Sequence, residues 1–175
     1  SLAYVSSGDE LKRWTPGGGP EDGVTTHASG FSRLANIAVD REGNVIATDQ
    51  GRHQVFKVAP DGTYEPIAGT GTTTGGGDGE PALETGLNEV RGIWLLENGG
   101  YFLATHEGSQ VWYVDSRGVI HLFLDGSRGA PAGDGEPFDT PGEKVSEVRN
   151  VTMDRQGNLL VTENDNGFVR IVRRR

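Results

Sequence analysis

One stretch of sequence is written into this chain several times over. Residues 36–69 read NIAVDREGNVIATDQGRHQVFKVAPDGTYEPIAG, and residues 92–126 follow the same plan as GIWLLENGGYFLATHEGSQVWYVDSRGVIHLFLDG. A third copy, NVTMDRQGNLLVTENDNGFVRIV at 150–172, stops before its last strand. The stretch LAYVSSGDELKRWTPGG at 2–18 matches the middle of a unit and lacks its first strand. Leu11, Val55, Val111 and Val169 are equivalent, so the units step by 44, 56 and 58 residues. Each full unit holds four short runs rich in β-branched and aromatic residues, at 37–40, 45–48, 54–58 and 64–68 in the first. The turns DREGN, DQGRH and PDG place glycine where a positive φ is needed. Helical periodicity is absent almost everywhere, and PALETGLNEV at 81–90 allows one turn at most.

A period of roughly 40–50 residues holding four short strands is that of a β-propeller blade. The expectation is an all-β propeller of four-stranded antiparallel blades. Three strands, then four, four and three, make about three and a half blades in one domain over 1–175, divided as 1–31, 32–87, 88–145 and 146–175. Closing the ring is what removes sheet edges. Three outcomes stay open: half of a longer chain, a homodimer that closes a ring, or a small open propeller. The chain begins with Ser1, as a processed or excerpted polypeptide does.

Composition narrows the function classes. Lys and Arg number 16 against 25 Asp and Glu, a net charge of −9 that argues against nucleic acid as a partner. Cysteine is absent, which excludes disulfides and thiolate metal sites. No apolar run is long enough to span a membrane and no leader stands at the N-terminus, so no membrane partner is expected. The expected location is extracytoplasmic, periplasmic or secreted. The 28 glycines among dispersed strand formers fit tight turns rather than disorder.

The runs IAGTGTTTGGGDGEPALETGLNEVRGI at 67–93 and GNVIATDQGRHQVFKVAPDG at 43–62 resemble the NHL-repeat propeller pattern, over essentially the whole chain. The resemblance implies an NHL-type propeller fold. It implies little about activity, because such propellers serve as lactonases, lyases and binding platforms.

In a propeller, ligands bind at the face formed by the loops into first strands and the loops between second and third strands. Before the first strands the repeat aligns Ala35, Arg91 and Arg149. At the ends of the second strands it aligns Asp49, His106 and Glu163, each preceded by a threonine. On the functional reading, Arg91 and Arg149 offer planar forks to a carboxylate, sulfate or phosphate at the channel mouth. His106 and Glu163 would supply proton transfer or metal ligation. On the plainer reading, these arginines and carboxylates pair between blades and hold loops in place. The expected partner is a small anionic ligand, a carbohydrate or a protein, and Trp14 and Tyr101 are the aromatics placed to stack on a sugar.

The alternative is a metal-dependent hydrolase or lyase at the same face, with calcium or zinc as the cofactor. Propellers of the gluconolactonase (SMP-30) class are similar in architecture and carry an Asn or Asp metal ligand just before the first strand. Here that position holds Ala35, Arg91 and Arg149, and Asn36 and Asn150 come one residue late. Peptidyl-amidoglycolate lyases carry a zinc-binding histidine in a motif similar to TDQGRHQVFK, which points to His53, with His106 as the second metal candidate. A catalytic zinc takes three protein ligands, and only these two are found. His27 (in a loop) and His121 (in an outer strand) read as structural or solvent-facing. Nucleophilic catalysis is not signalled, since there is no G-x-S-x-G.

Two further motifs remain. GDGEP occurs at 77–81 and 133–137, 56 residues apart, and reads as punctuation between blades because two carboxylates are too few for a calcium loop. RIVRRR at 170–175 reads as a charged strand edge, or as a basic tail that docks on an acidic surface.

Overall fold

The computed structural model describes residues 2–17, 23–126 and 133–173. Its strands form four antiparallel sheets in chain order. The first holds β1 (Ala3–Ser7), β2 (Glu10–Trp14) and β3 (Val24–Ser29). The second holds β4 (Leu34–Val39), β5 (Val45–Asp49), β6 (Gln54–Val58) and β7 (Tyr64–Ala68). The third holds β8 (Val90–Leu95), β9 (Tyr101–Thr105), β10 (Gln110–Val114) and β11 (Ile120–Leu124). The last holds β12 (Val148–Met153), β13 (Leu159–Glu163) and β14 (Val169–Val172). Each sheet is a meander, and β8 packs against both β4 and β12, so the sheets follow one another as blades of a β-propeller. A single 3₁₀ turn at Ala82–Glu84 is the one helical element among the described residues. His27 lies in β3 rather than in a loop, with Nε2 3.0 Å from the Ala59 carbonyl.

The turns repeat down to individual hydrogen bonds. In DREGN the Asp40 carboxylate accepts from the Asn44 backbone and side-chain amides, both at 2.8 Å, and Gly43 takes φ 86°. In DRQGN, Asp154 does the same for Asn158 at 2.8 and 2.7 Å, with Gly157 at φ 84°. An acceptor at the first position and a residue free to take positive φ near the end set a tight reversal, which fixes strand register.

The core lies between blades. Leu11, Phe31, Leu34, Val45 and Phe56 fill the first gap. Val55, Leu87, Ile93, Leu103 and Trp112 fill the second, and Phe102, Val111, Val148, Leu159 and Val161 fill the third. Tyr101 belongs to this core, only 8% exposed, with its hydroxyl on the Ile67 carbonyl at 3.4 Å. It therefore cannot stack on a sugar. Trp14 remains partly exposed.

The first GDGEP loop runs along the outer edge of β11. Gly79 donates to the Ile120 carbonyl at 2.8 Å, and the Ile120 amide donates to Glu80 O at 2.9 Å. The Asp78 carboxylate accepts the Leu122 amide at 2.9 Å. The motif thus ties the end of one blade to the fourth strand of the next. Of the basic tail, Arg174 and Arg175 lie outside the described residues, and Arg170 is committed to Glu163 and Asp134.

Candidate functional site

The first strand of each later blade opens with a β-bulge. Leu34 pairs with Asp49, Val90 with Thr105 and Val148 with Glu163; the ladder then skips before resuming at Ile37, Gly92 and Asn150. A bulge breaks the alternation of faces and re-aims the extra residue. Arg91 and Arg149 are those extra residues.

The same pairing corrects the alignment of the second strands. Thr105, not His106, is the counterpart of Asp49 and Glu163. His106 instead matches Gln50 and Asn164, because each donates its backbone amide to the residue before a first strand: Gln50 to Arg33, His106 to Glu89, Asn164 to Glu147. The TD, TH and TE dipeptides suggest the other register, but the step of 56 residues between Val55 and Val111 is the correct ruler.

Asp49 and Glu163 are buried and do structural work. Asp49 accepts the Ser32 amide at 2.6 Å and the Arg33 amide at 2.8 Å. Glu163 accepts the equivalent Ser146 amide at 2.8 Å and is ion-paired with Arg170. These carboxylates hold the chain where it turns into the next blade.

His106 sits at the centre of the cluster. Its Nδ1 lies 3.0 Å from Glu89 Oε2, and its Nε2 contacts Glu147 Oε1. Both ring nitrogens thus face carboxylates. Around this core, Gln50 Nε2 donates to Glu89 at 2.6 Å, Asn164 Nδ2 to Glu147 at 2.9 Å and Arg149 Nη2 to Glu147 at 2.6 Å. Arg33 reaches Glu89 at 3.5 Å. Burial raises Glu89, but the bonds from His106 and Gln50 and the Arg33 and His106 charges outweigh it, leaving its carboxyl below the ordinary range. Hydrogen bonds from Asp165, Asn164 and His106, with the Arg149 charge, hold Glu147 well below that range.

Arg91 differs from its neighbours. Its half-buried guanidinium makes no hydrogen bond or ion pair among the described residues. Burial, and the charges of Arg149 and Arg33, push its pKa down, opposed by Glu89 and Glu147. Its backbone is fixed, since Thr48 Oγ1 donates to the Arg91 carbonyl at 2.8 Å. Arg149 adds a buried Nε with no acceptor. Below Arg91, Gly92 leaves room for a bond between alternate blades: Asn36 Nδ2 donates to Asn150 Oδ1 at 3.0 Å. A Cβ on Gly92 would stand 2.8 Å from the Asn150 Cα.

The ligand atoms of Glu89, His106 and Glu107 lie within 4.8 Å of one another, which suits a divalent cation. Glu147 on the far nitrogen of His106 is the kind of outer partner that orients a ligating imidazole. His53 is outside this group. It holds φ 55° in the turn between β5 and β6, and its Nδ1 accepts the Glu89 amide at 3.0 Å. Ser109, its counterpart at φ 51°, accepts the Glu147 amide on Oγ at 3.0 Å.

The structure thus brings Arg91, Arg149 and His106 together around Glu89 and Glu147, and buries Asp49 and Glu163 against the backbone of the chain entering the blades. Glu89, Glu147, Gln50 and Asn164 were not expected. Their signal was positional: each lies one residue before a first strand or one residue after a second strand.

No protein-family model matches the chain, and no curated protein matches it in sequence. Solved structures do. A structural-genomics protein of unknown function from Bacteroides thetaiotaomicron aligns with a TM-score of 0.76 at 18% identity, over 97% of this chain and 44% of that one. Virginiamycin B lyase from Staphylococcus aureus aligns with a TM-score of 0.61 at 13% identity, over 97% of this chain and 51% of the lyase. The extracellular domain of a hybrid two-component system protein from B. thetaiotaomicron aligns at 0.61 and 14%, over 98% of this chain and 22% of that one. The chain spans about half the length of the first two. At these identities the likeness is one of fold.

Proposed function

We propose that this propeller is a binding module whose mouth takes a small ligand through an anionic group seated on Arg91. The observation that carries this reading is the unpaired, half-buried guanidinium of Arg91, set among arginines that each have a carboxylate. A guanidinium partly removed from water and repelled by Arg33 and Arg149 is stabilised by an incoming anion. Its planar fork suits a carboxylate, sulfate or phosphate, whether free or carried on a sugar or a protein. We place the protein outside the cytoplasm, a reading supported by one structural neighbour that is an extracellular domain.

Calorimetry with acetate, citrate, sulfate and phosphate tests the reading. At least one should bind saturably, and Arg91→Gln should weaken it tenfold or more, while Arg117→Gln on the surface leaves it unchanged. Equal binding by wild type and Arg91→Gln would sink the proposal.

A metal-dependent lyase or hydrolase is the second reading, favoured by the convergence of Glu89, His106 and Glu107. Stoichiometric uptake of Mg²⁺, Ca²⁺ or Zn²⁺ that is lost in Glu107→Gln would favour it over the first.

A further inference from the structure

Two blades carry the same pair of charges at the same place, and only one pair is closed. Glu147 and Arg149 stand two residues apart where β12 begins, and Arg149 Nη2 donates to Glu147 Oε1 at 2.6 Å. Glu89 and Arg91 occupy the matching positions at the start of β8. Their backbones match as well: both glutamates have positive φ, and both donate their amides to the turn between the second and third strands of the blade before. Two residues of chain set their Cα atoms at most about 7 Å apart. Glu89 and Arg91 nevertheless do not close on each other. Glu89 Oε2 takes Gln50 and His106, and Arg91 makes no hydrogen bond or ion pair among the described residues.

The other oxygen of Glu89 is weakly held. Oε1 meets only Arg33, at 3.5 Å, and the Arg33 side chain is 57% exposed. Such a solvated pair contributes little and is easily exchanged. Glu107, in the turn between β9 and β10, brings a second carboxylate to the same spot, with its ligand atom within 4.8 Å of those of Glu89 and His106. A place for a cation therefore adjoins a guanidinium that lacks an anion. The two places select against simple ions of either sign. A plain anion on Arg91 has the Glu89 carboxylate beside it, and a plain cation on Glu89 has Arg91 beside it.

We propose that the open Glu89–Arg91 pair is the seat of a zwitterion, a small amino acid whose carboxylate lies on Arg91 and whose ammonium lies between Glu89 and Glu107. This inference rests on the reading of Arg91 as an anion seat and names the class of ligand that the seat prefers. The carboxylate receives the planar fork of the guanidinium. The ammonium has three hydrogens to donate and no need of an acceptor function, which suits converging carboxylates. Each end of the ligand takes the place that a partner takes in the closed Glu147–Arg149 pair, so neither charge of the open pair is left without its opposite.

Calorimetry in the presence of EDTA tests this with glycine, β-alanine and γ-aminobutyrate, each compared with acetate, with methylammonium and with its own N-acetyl form. At least one of the three should bind about tenfold or more tighter than acetate and than its N-acetyl form, the increment expected of one added charge-assisted contact. In Glu107→Gln that ratio should fall close to one. The ratio is read within each variant, so a change in stability does not mimic the effect. An amino acid that binds no tighter than its N-acetyl form overturns the inference and leaves Arg91 as a seat for anions. So does binding that requires added Mg²⁺, Ca²⁺ or Zn²⁺, which would assign the carboxylates to a metal. Failure of acetate and of every amino acid to bind, or equal binding of both by Arg91→Gln, removes the anion reading itself and this inference with it.

Discussion

His53 and Ser109 do the same job with different chemistry. Each occupies a left-handed turn position and accepts the amide of a glutamate that itself has positive φ, Glu89 at 57° and Glu147 at 44°. Removing the acceptor strands an amide, which costs about 1–3 kcal/mol when the group is buried. His53→Ala should therefore lower the melting temperature, whereas His53→Ser, copying Ser109, should restore most of it. A zinc ligand at this position would behave differently, since serine would not rescue metal uptake. The role of His53 was not legible in the sequence, because histidine and serine share no side-chain signature and the partner is a backbone amide. Arg91 and Arg149 were legible, because the repeat aligns them. Their different states were not, because pairing depends on where Glu147 and Glu89 point.

At the scale of the element, the strands and turns could be read almost residue by residue. Alternation and the glycine turns dictate them locally, and β5, β6 and β7 fall where the periodicity puts them. The bulges could not be read, because they arise from fitting a first strand against its neighbours. The turn aspartates give a pH prediction. The hydrogen-bonded Arg117 side chain and the Val119 amide push the Asp115 carboxyl down to about 2, and Asp154 is lowered by Asn158. A depressed folded pKa stabilises above the unfolded value of about 3.9, and the gain is lost as pH falls from there through the folded value. Thermal melts between pH 5 and pH 2 should show this loss, and Asp115→Asn should flatten the curve. Gly92→Ala tests the close approach of β8 to β12. Its Cβ would stand 2.8 Å from the Asn150 Cα and 3.0 Å from the Ala104 Cβ, so a loss of about 1–3 kcal/mol is expected in denaturant titration.

Over the whole molecule, stability resides in the gaps between blades, so the complete blades should outlast the final one. Leu103→Ala, at a fully buried site between the second and third sheets, should cost about 2–5 kcal/mol. Hydrogen exchange should find the amides of β14 opening at least tenfold faster than those of β10, which has a strand on both sides. The sequence announced this asymmetry, since the last unit stops before its fourth strand.

The Asn36–Asn150 bond passes in front of Gly92, one residue below Arg91. It ties the second blade to the fourth across the third, where no strand pairing joins them. Asn150→Ala should therefore speed amide exchange in β12 while leaving that in β5 unchanged, because no ladder is cut.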